Sequence, residues 1–207
     1  MSGIEVVGLI SAVVGILTAI NDVYDGLKDA ANLPEAIRKV AERLPLVRSI
    51  LESVEKHIAS HPDEQACQAM ETVVKKCKIN AERLQEIFNA VAPSEPPSKR
   101  DRYRAIVRGW GKGQMVEVLA KEMLDDVRLL AEKHAVGAAS ETQIEQLQKA
   151  IEEISKLSPS LPNEGSVTQS HSGSGDNITG NKYGGNHNVS QGSGTVYFGN
   201  VSQHGVK

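Results

Sequence analysis

Two histidines and two acidic residues form the first group whose spacing suggests chemistry. His57 and His61 lie one helical turn apart, and Asp63 and Glu64 follow. Imidazole and carboxylate groups bind transition metals, but a zinc site needs three or four ligands, and no further ligand pair is evident. Histidine near a helix C-terminus is also favoured by the helix dipole. We therefore predict no metal site and no cofactor.

The cysteines and one glycine-rich stretch are weak candidates for reactive groups. Cys67 and Cys77 fall on an apolar helical stripe, where buried, inert thiols are expected. The glycines of residues 109–113 flank a lysine, but no Ser or Thr follows it and no strand precedes it, as a phosphate-binding loop requires. Because no nucleophile motif or paired-carboxylate motif occurs either, the sequence predicts a protein that is not an enzyme.

A basic segment, residues 99–112, offers an electrostatic site. It has six Lys and Arg against one Asp, although the chain of 207 residues has a net charge of −3. An anionic membrane surface attracts each well-placed cation by roughly 1 kcal/mol. The alternative is a solvated helix face that offsets acidic neighbours, and no nucleic-acid partner is predicted. The predicted lipid contacts are Lys99, Arg100, Arg102, Arg104, Arg108, Trp110 and Lys112.

The stretch from Val6 to Ile20 has no charged residue in 15 positions. At about 1.5 Å per residue it spans roughly 22 Å, short of a hydrocarbon core of about 30 Å, so insertion is expected to need oligomerisation and local bilayer thinning. The alternative is a core helix packed by its neighbours, and both hold if the helix is buried at rest and released later. Small residues at the spacing that lets helices pack closely in lipid are Gly8, Ser11, Ala12, Gly15 and Ala19.

The rest of the first 157 residues shows helical periodicity. One apolar stripe runs from Ile37 to Ile58 and a second from Cys67 to Val91, and both have the spacing of a helix facing a core. Pro45 falls inside the first stripe and should kink or split that helix. Further helical segments follow, and no alternating run occurs before residue 158. We predict an all-α bundle of five or six helices.

The composition changes at residue 158. The last 50 residues hold 10 of the 18 glycines and only four charged residues, and Pro159 and Pro162 end any helical pattern. We predict three parts: a helical bundle over residues 1–157, a flexible linker over 158–174, and an amyloid-forming motif over 175–207. The whole tail is rich in Gly, Ser and Asn.

The motif contains a repeat. Asn188-Val-Ser-Gln191 recurs as Asn200-Val-Ser-Gln203, with apolar residues spaced among turn formers. Such a segment is too small and polar for its own core and stays disordered alone. Stacked copies, however, pair every backbone amide at about 4.7 Å and form Asn and Gln ladders, which predicts a tail able to form cross-β. The alternative is a passive flexible terminus. The predicted amyloid residues are Asn177, Ile178, Asn181, Tyr183, Asn186, Val189, Gln191, Gly192, Val196, Phe198, Asn200, Val201 and Gln203.

Both halves resemble known signalling modules. The opening, MSGIEVVGLISAVVGILTAINDVYDGLKDAANLPEAIRKVAERLPLVRSIL, resembles the SesA and HeLo-like N-terminal domains of fungal NLR-type NTPases and of stand-alone cell-death effectors, over residues 1 to about 155. The tail is similar to the pseudopalindromic type of amyloid signalling motif. Within it, Val189-Ser-Gln-Gly192 is similar to the core of the RIP homotypic interaction motif of animal necroptosis.

The resemblance implies an executioner of programmed cell death in fungal innate immunity or heterokaryon incompatibility. An NLR-type receptor with a matching motif would seed an amyloid, onto which the effector tail is templated. The clustered bundles would then release their first helix into the plasma membrane. We expect an amyloid-triggered, membrane-targeting effector that is cytoplasmic at rest and self-associates through its tail. The alternative is a soluble helical adaptor that recruits a partner while the tail polymerises.

Overall fold

The computed structural model describes residues 3–28, 30, 33–61, 63–135 and 137–161. This part of the chain folds into α-helices and has no strand, which confirms the predicted all-α class. A 3₁₀ turn, Lys112–Gln114, precedes the sixth helix, and a π-helical turn, Leu130–His134, continues it. The helices are α1 (Gly3–Asp25), α2 (Glu35–Ala41), α3 (Leu44–Ser60), α4 (Glu64–Val91), α5 (Lys99–Trp110), α6 (Val116–Leu129) and α7 (Glu141–Ser155).

The stripe from Ile37 to Ile58 is shared between two helices. Helix α2 ends at Ala41 and α3 begins at Leu44, so Pro45 lies in the first turn of α3. At that position the missing N–H of proline has no intrahelical partner to lose, and its fixed φ suits the helix. Of the two outcomes predicted for Pro45, a kink or a split of the helix, the structure shows the split.

Helix α4 is the central element of the bundle. It packs against α1 on one side and against α6 and α5 on others, while α6 also contacts α7 and α2. The core is almost entirely aliphatic, with Phe88 and Tyr103 as its fully buried aromatic side chains. Cys67 and Cys77 are buried in it as predicted. Burial raises the pKa of the Cys77 thiol far above its usual range, which leaves that sulfur unreactive.

A half-buried ionic cluster joins α4 to α6. Lys76 Nζ lies 3.6 Å from Glu122 Oε2 and 3.5 Å from Asp126 Oδ2. The Asp126 side chain is only 13% exposed, and burial raises the pKa of its carboxyl even though Lys76 acts in the opposite direction. Withdrawal of this carboxylate from water therefore outweighs its ion pair.

Replacing Asp126 by Asn should stabilise the bundle at neutral pH. Because the pKa of Asp126 is higher in the folded state than in the unfolded state, its protonated form favours folding at low pH, and this contribution is lost as pH rises through the folded-state value. We expect D126N to raise Tm at pH 7 by about 2–4 °C, the shift that corresponds to 1 kcal/mol in a domain of this size.

Thermal unfolding followed by circular dichroism at pH 7 and pH 4 measures the effect, which should shrink at pH 4. Asp125→Asn is the matched control, because the Asp125 side chain is one-third exposed and pairs with Lys121 and Arg128 at the surface. Surface pairs contribute little, so D125N should not raise Tm. A D126N protein that is less stable than wild type at pH 7 would contradict the assignment.

Candidate functional site

One side of α1 is a continuous aliphatic stripe that packs into the groove between α3 and α4. Its members recur every three or four residues, and each is fully withdrawn from solvent. They are Val6, Ile10, Val13, Leu17 and Ile20. This stripe fixes α1 to the bundle, and it is the side of the helix that behaves as a core element.

The opposite side of α1 is open to solvent. The small residues predicted to form one smooth surface do lie together there, with four of them exposed and Ala19 half-buried. A methyl group added at Gly8 or Gly15 would meet no atom within 4 Å. The packed-core interpretation therefore holds for the aliphatic stripe and is wrong for the small-residue face, which we define as Gly8, Ser11, Ala12, Gly15 and Ala19.

Helix α1 is longer than the uncharged stretch suggested. It has 23 residues, or about 34 Å at 1.5 Å per residue, because Glu5, Asp22 and Asp25 lie inside the helix. Among the described helices it is the one long and apolar enough to cross a membrane, and only 28% of its most apolar 18-residue window is buried. The whole helix is therefore longer than the 15 uncharged residues on which the expected need for bilayer thinning was based.

Few polar or aromatic contacts add to the stripe. The Ser11 hydroxyl donates to Glu55 Oε1 on α3. Near the other end of α1, Tyr24 meets Phe88 of α4 edge to face, with ring centroids 6.3 Å apart and planes at 83°. The main neighbours of α1 are α3 and α4, so its departure would leave the packing of α4 on α6 and of α6 on α7 in place.

Two cations of the basic segment have a structural role that the sequence did not predict. Lys99 Nζ donates to the carbonyls of Val91 at 3.0 Å and of Ala92 and Pro93 at 3.3 Å. Arg102 Nη1 donates to the Pro93 carbonyl at 3.1 Å. These carbonyls belong to the end of α4, where the chain leaves the helix without intrahelical donors and the dipole favours positive charge.

The remaining members of the segment have different surroundings, although Arg100, Arg104 and Arg108 lie four residues apart on α5. Arg104 Nη1 lies 3.3 Å from Asp101 Oδ1, and Trp110 packs half-buried against the core. Arg100 and Arg108 are exposed, and the side chain of Lys112 lies outside the description. The segment therefore combines helix capping, a local ion pair and exposed cations.

The sequence-based candidates for metal binding have local structural roles. Asp63 is the N-cap of α4, and its Oδ1 accepts from the backbone N–H of Gln65 at 2.9 Å and of Ala66 at 3.2 Å. The rings of His57 and His61 lie side by side, with centroids 5.1 Å apart. Across the described ranges, no three metal-ligating side chains come together.

The helical unit continues beyond the end of α7. Leu157 and Leu161 pack partly against the core. Between them, the Ser160 N–H donates to Glu117 Oε1 at 2.8 Å, and its hydroxyl shares a hydrogen bond with the hydroxyl of Tyr103. The sequence assigned residues 158–161 to the flexible linker, since prolines and small polar residues carry no signal of a tertiary contact.

Tyr103 is the buried polar centre of this contact. Its side chain is fully withdrawn from solvent, and its hydroxyl oxygen accepts the Val116 N–H at 3.1 Å. Burial raises the pKa of Tyr103 to about 12, so the hydroxyl stays protonated under ordinary conditions. Every predicted amyloid residue, from Asn177 to Gln203, lies outside the described residues, and that motif stays a prediction.

One comparison with known proteins identifies a family. A family model named SesA, described as the N-terminal domain on NACHT NTPases and P-loop NTPases, matches residues 10–130. The match begins within α1 and ends in the π-helical turn after α6. No curated protein and no solved structure matches the chain.

The capping role of Lys99 makes a prediction about stability. Lys99→Ala should lower the free energy of unfolding by about 1 kcal/mol, because it removes a charged donor from the last carbonyls of α4. Arg100→Ala is the control, since it removes the same charge from the next residue, which is exposed, and should change stability by less than about 0.5 kcal/mol. Urea unfolding measures both, and equal effects would contradict the capping role.

Proposed function

The chain belongs to the SesA family, and on that premise we propose that it is an amyloid-triggered, membrane-targeting effector of cell-death signalling. Domains of this family occur at the N-terminus of NACHT and P-loop NTPases, so the proposed upstream partner is an NLR-type NTPase with a matching tail motif. In this proposal the protein is cytoplasmic at rest and reaches the plasma membrane on activation. It performs no catalytic step and needs no cofactor.

The small-residue face of α1 is the observation that carries the proposal. A surface helix of a globular bundle normally turns charged and polar residues to solvent, whereas the outward side of α1 has no charge between Glu5 and Asp22. The glycines on this face fit no neighbour in the bundle, so packing at rest does not explain them. Small residues four apart let two helices approach closely in lipid, which supports α1-to-α1 packing in a bilayer.

The aliphatic stripe explains why α1 stays in place at rest. Fully burying one such side chain contributes about 1.5–3 kcal/mol, so five buried side chains correspond to roughly 8–15 kcal/mol as an upper estimate. Exposing the stripe to water would lose this contribution. The hydrocarbon core of a bilayer also shields these side chains from water. Transfer of α1 to a bilayer would therefore avoid most of that loss of burial free energy.

The positions of the acidic residues also suit a membrane span. Glu5 and Asp22 lie 17 residues apart in α1, or about 26 Å along the helix axis. A hydrocarbon core is about 30 Å thick, so both carboxylates would lie close to the headgroup regions after modest local thinning. The exposed cation Arg100 would then lie where anionic headgroups could attract it.

The tail supplies the trigger in this proposal. Stacking of identical tails tethers many bundles to one fibre, which raises their effective concentration to about the millimolar range without any new contact. Membrane insertion by helices that pack on one another depends steeply on local concentration. Tail assembly would therefore switch α1 from the groove between α3 and α4 to the bilayer.

Dye release from vesicles tests the membrane step. Full-length protein seeded with sonicated fibres of the same chain should release dye from vesicles that contain anionic lipid. Ala12→Asp should reduce release at least about tenfold, because a charge near the centre of an inserted helix costs about 2.5–3.5 kcal/mol. Ala69→Asp is the matched control, since Ala69 is an equally exposed alanine on α4.

A second substitution separates shape from charge. Gly15→Leu meets open space in the resting bundle, so the domain should fold normally, while the larger side chain should block close helix packing in lipid and lower dye release. If A12D and G15L leave dye release unchanged, the membrane step is wrong. Seeded assembly of wild type without any dye release would favour the adaptor function.

Proline substitution tests the trigger. Val201→Pro removes an amide donor from the repeated tetrapeptide and should abolish seeded fibre growth, because proline cannot complete a cross-β ladder. Ser170→Pro, in the predicted linker, is the control and should polymerise like wild type. Thioflavin fluorescence and fibre diffraction near 4.7 Å provide the measurements, and equal growth of both variants would refute the assigned motif.

A further inference from the structure

Residues 156–161 form a strap that runs from the end of α7 to the start of the tail. Within it, the backbone N–H and the hydroxyl of Ser160 are both bound by the bundle. The backbone N–H reaches Glu117 on α6, and the hydroxyl reaches Tyr103 on α5. The strap therefore joins two helices that are far from it in sequence, at the point where the chain leaves the helical unit.

The strap satisfies polar groups that are otherwise buried in the bundle. Glu117 is only 7% exposed. Its Oε1 accepts the Ser160 N–H, while its Oε2 is buried and finds no partner among the described residues. A buried carboxylate without hydrogen-bond donors is strongly unfavourable. If the strap left the bundle, Glu117 would lose the Ser160 N–H, its donor among the described residues. This places a specific contact where a passive linker would have none.

Apart from Ser160, the strap is lightly held. Leu157 and Leu161 are half-buried, whereas Ser158 and Pro159 are exposed. One side of the strap borders an open cavity of about 760 Å³, so no close-packed neighbour covers it there. Segments with few buried apolar contacts open at low free energy, and the polar contacts of Ser160 decide whether this one is closed.

The same cavity is bordered by the connection between α1 and α2. Its lining includes residues 33–36, which lead into α2 and include the buried side chains of Leu33 and Ala36. The strap and this connection therefore border one open space, and the connection must move if α1 leaves its groove.

We propose that the strap is an autoinhibitory latch, in which Tyr103 and Glu117 hold Ser160 and thereby restrain the departure of α1. This inference rests on the proposed function for the meaning of that departure. With the latch closed, the tail leaves the bundle from a fixed point and residues 33–36 stay enclosed. When the latch is open, the strap and the connection between α1 and α2 can both move more easily. Helix α1 then leaves the groove more often.

Hydrogen exchange on full-length protein tests the latch. Tyr103→Phe keeps the buried ring and removes the hydroxyl, Ser160→Ala removes the hydroxyl on the other side, and Ser158→Ala is the exposed control. We expect Ser160→Ala to exchange the amides of Leu157, Ser158, Ser160 and Leu161 about fivefold faster, the factor that corresponds to the loss of one hydrogen bond. Tyr103→Phe also removes the acceptor of the Val116 N–H, so it should accelerate the same amides at least as much. Amides in the first half of α1 should accelerate as well, and S158A should match wild type.

Two internal checks protect the interpretation. Buried amides of α4 should change less than those of the strap and α1, which distinguishes local opening from general destabilisation. Because Tyr103 and Ser160 share one hydrogen bond, the effect of the double variant should be smaller than the sum of the two single effects. The proposal is overturned if the strap amides do not accelerate, or if they accelerate while α1 exchanges as in wild type.

Dye release separates this inference from the proposed function. If the latch variants speed exchange in both the strap and α1, and also release dye with fewer seeds, both proposals are supported. If exchange changes as expected while no protein, wild type included, releases dye, the latch stands and the membrane function fails. If wild type releases dye while exchange in the variants is unchanged, the membrane function stands and the latch fails.

Discussion

The packing of the α1 stripe between α3 and α4 holds the most apolar helix of this molecule in the bundle. It withdraws five aliphatic side chains from water while the other side of the same helix remains uncharged and exposed. The hydrophobic effect is non-directional, so a protein groove and a hydrocarbon phase are comparable surroundings for such a stripe. In the bundle, the bond from Ser11 to Glu55 and the Tyr24–Phe88 contact add to the packing of the stripe.

Several polar contacts in this bundle attach helix ends, in addition to the ion pairs along the helix faces. Lys99 and Arg102 bind the end of α4, Asp63 binds its beginning, and Ser160 is held where α6 begins. Each contact satisfies backbone or carboxylate groups that the helices themselves leave open. The long central helices are thus held by aliphatic packing, and their termini set how the connecting segments are attached.

Periodicity in the sequence was sufficient for the fold but not for the polar contacts. The stripes around Ile37–Ile58 and Cys67–Val91 were readable because helical spacing is a local property, and the split before Pro45 follows from the chemistry of proline. The spacing also placed the small residues of α1 on one face. It did not predict that this face is exposed to solvent. The hydrogen-bond partners of Lys99 and Ser160 could not be predicted, because these carbonyls and the buried carboxylate come close to their donors only after the chain has folded.

The burial of the two cysteines has a practical consequence. Cys67 and Cys77 are the only cysteines in the chain, and both lie inside the core on α4. A thiol introduced elsewhere on the folded domain would therefore react with maleimides against a nearly silent background. A spectroscopic label placed along the open side of α1 could therefore test the proposed passage of that helix from water to lipid, without prior removal of the native cysteines.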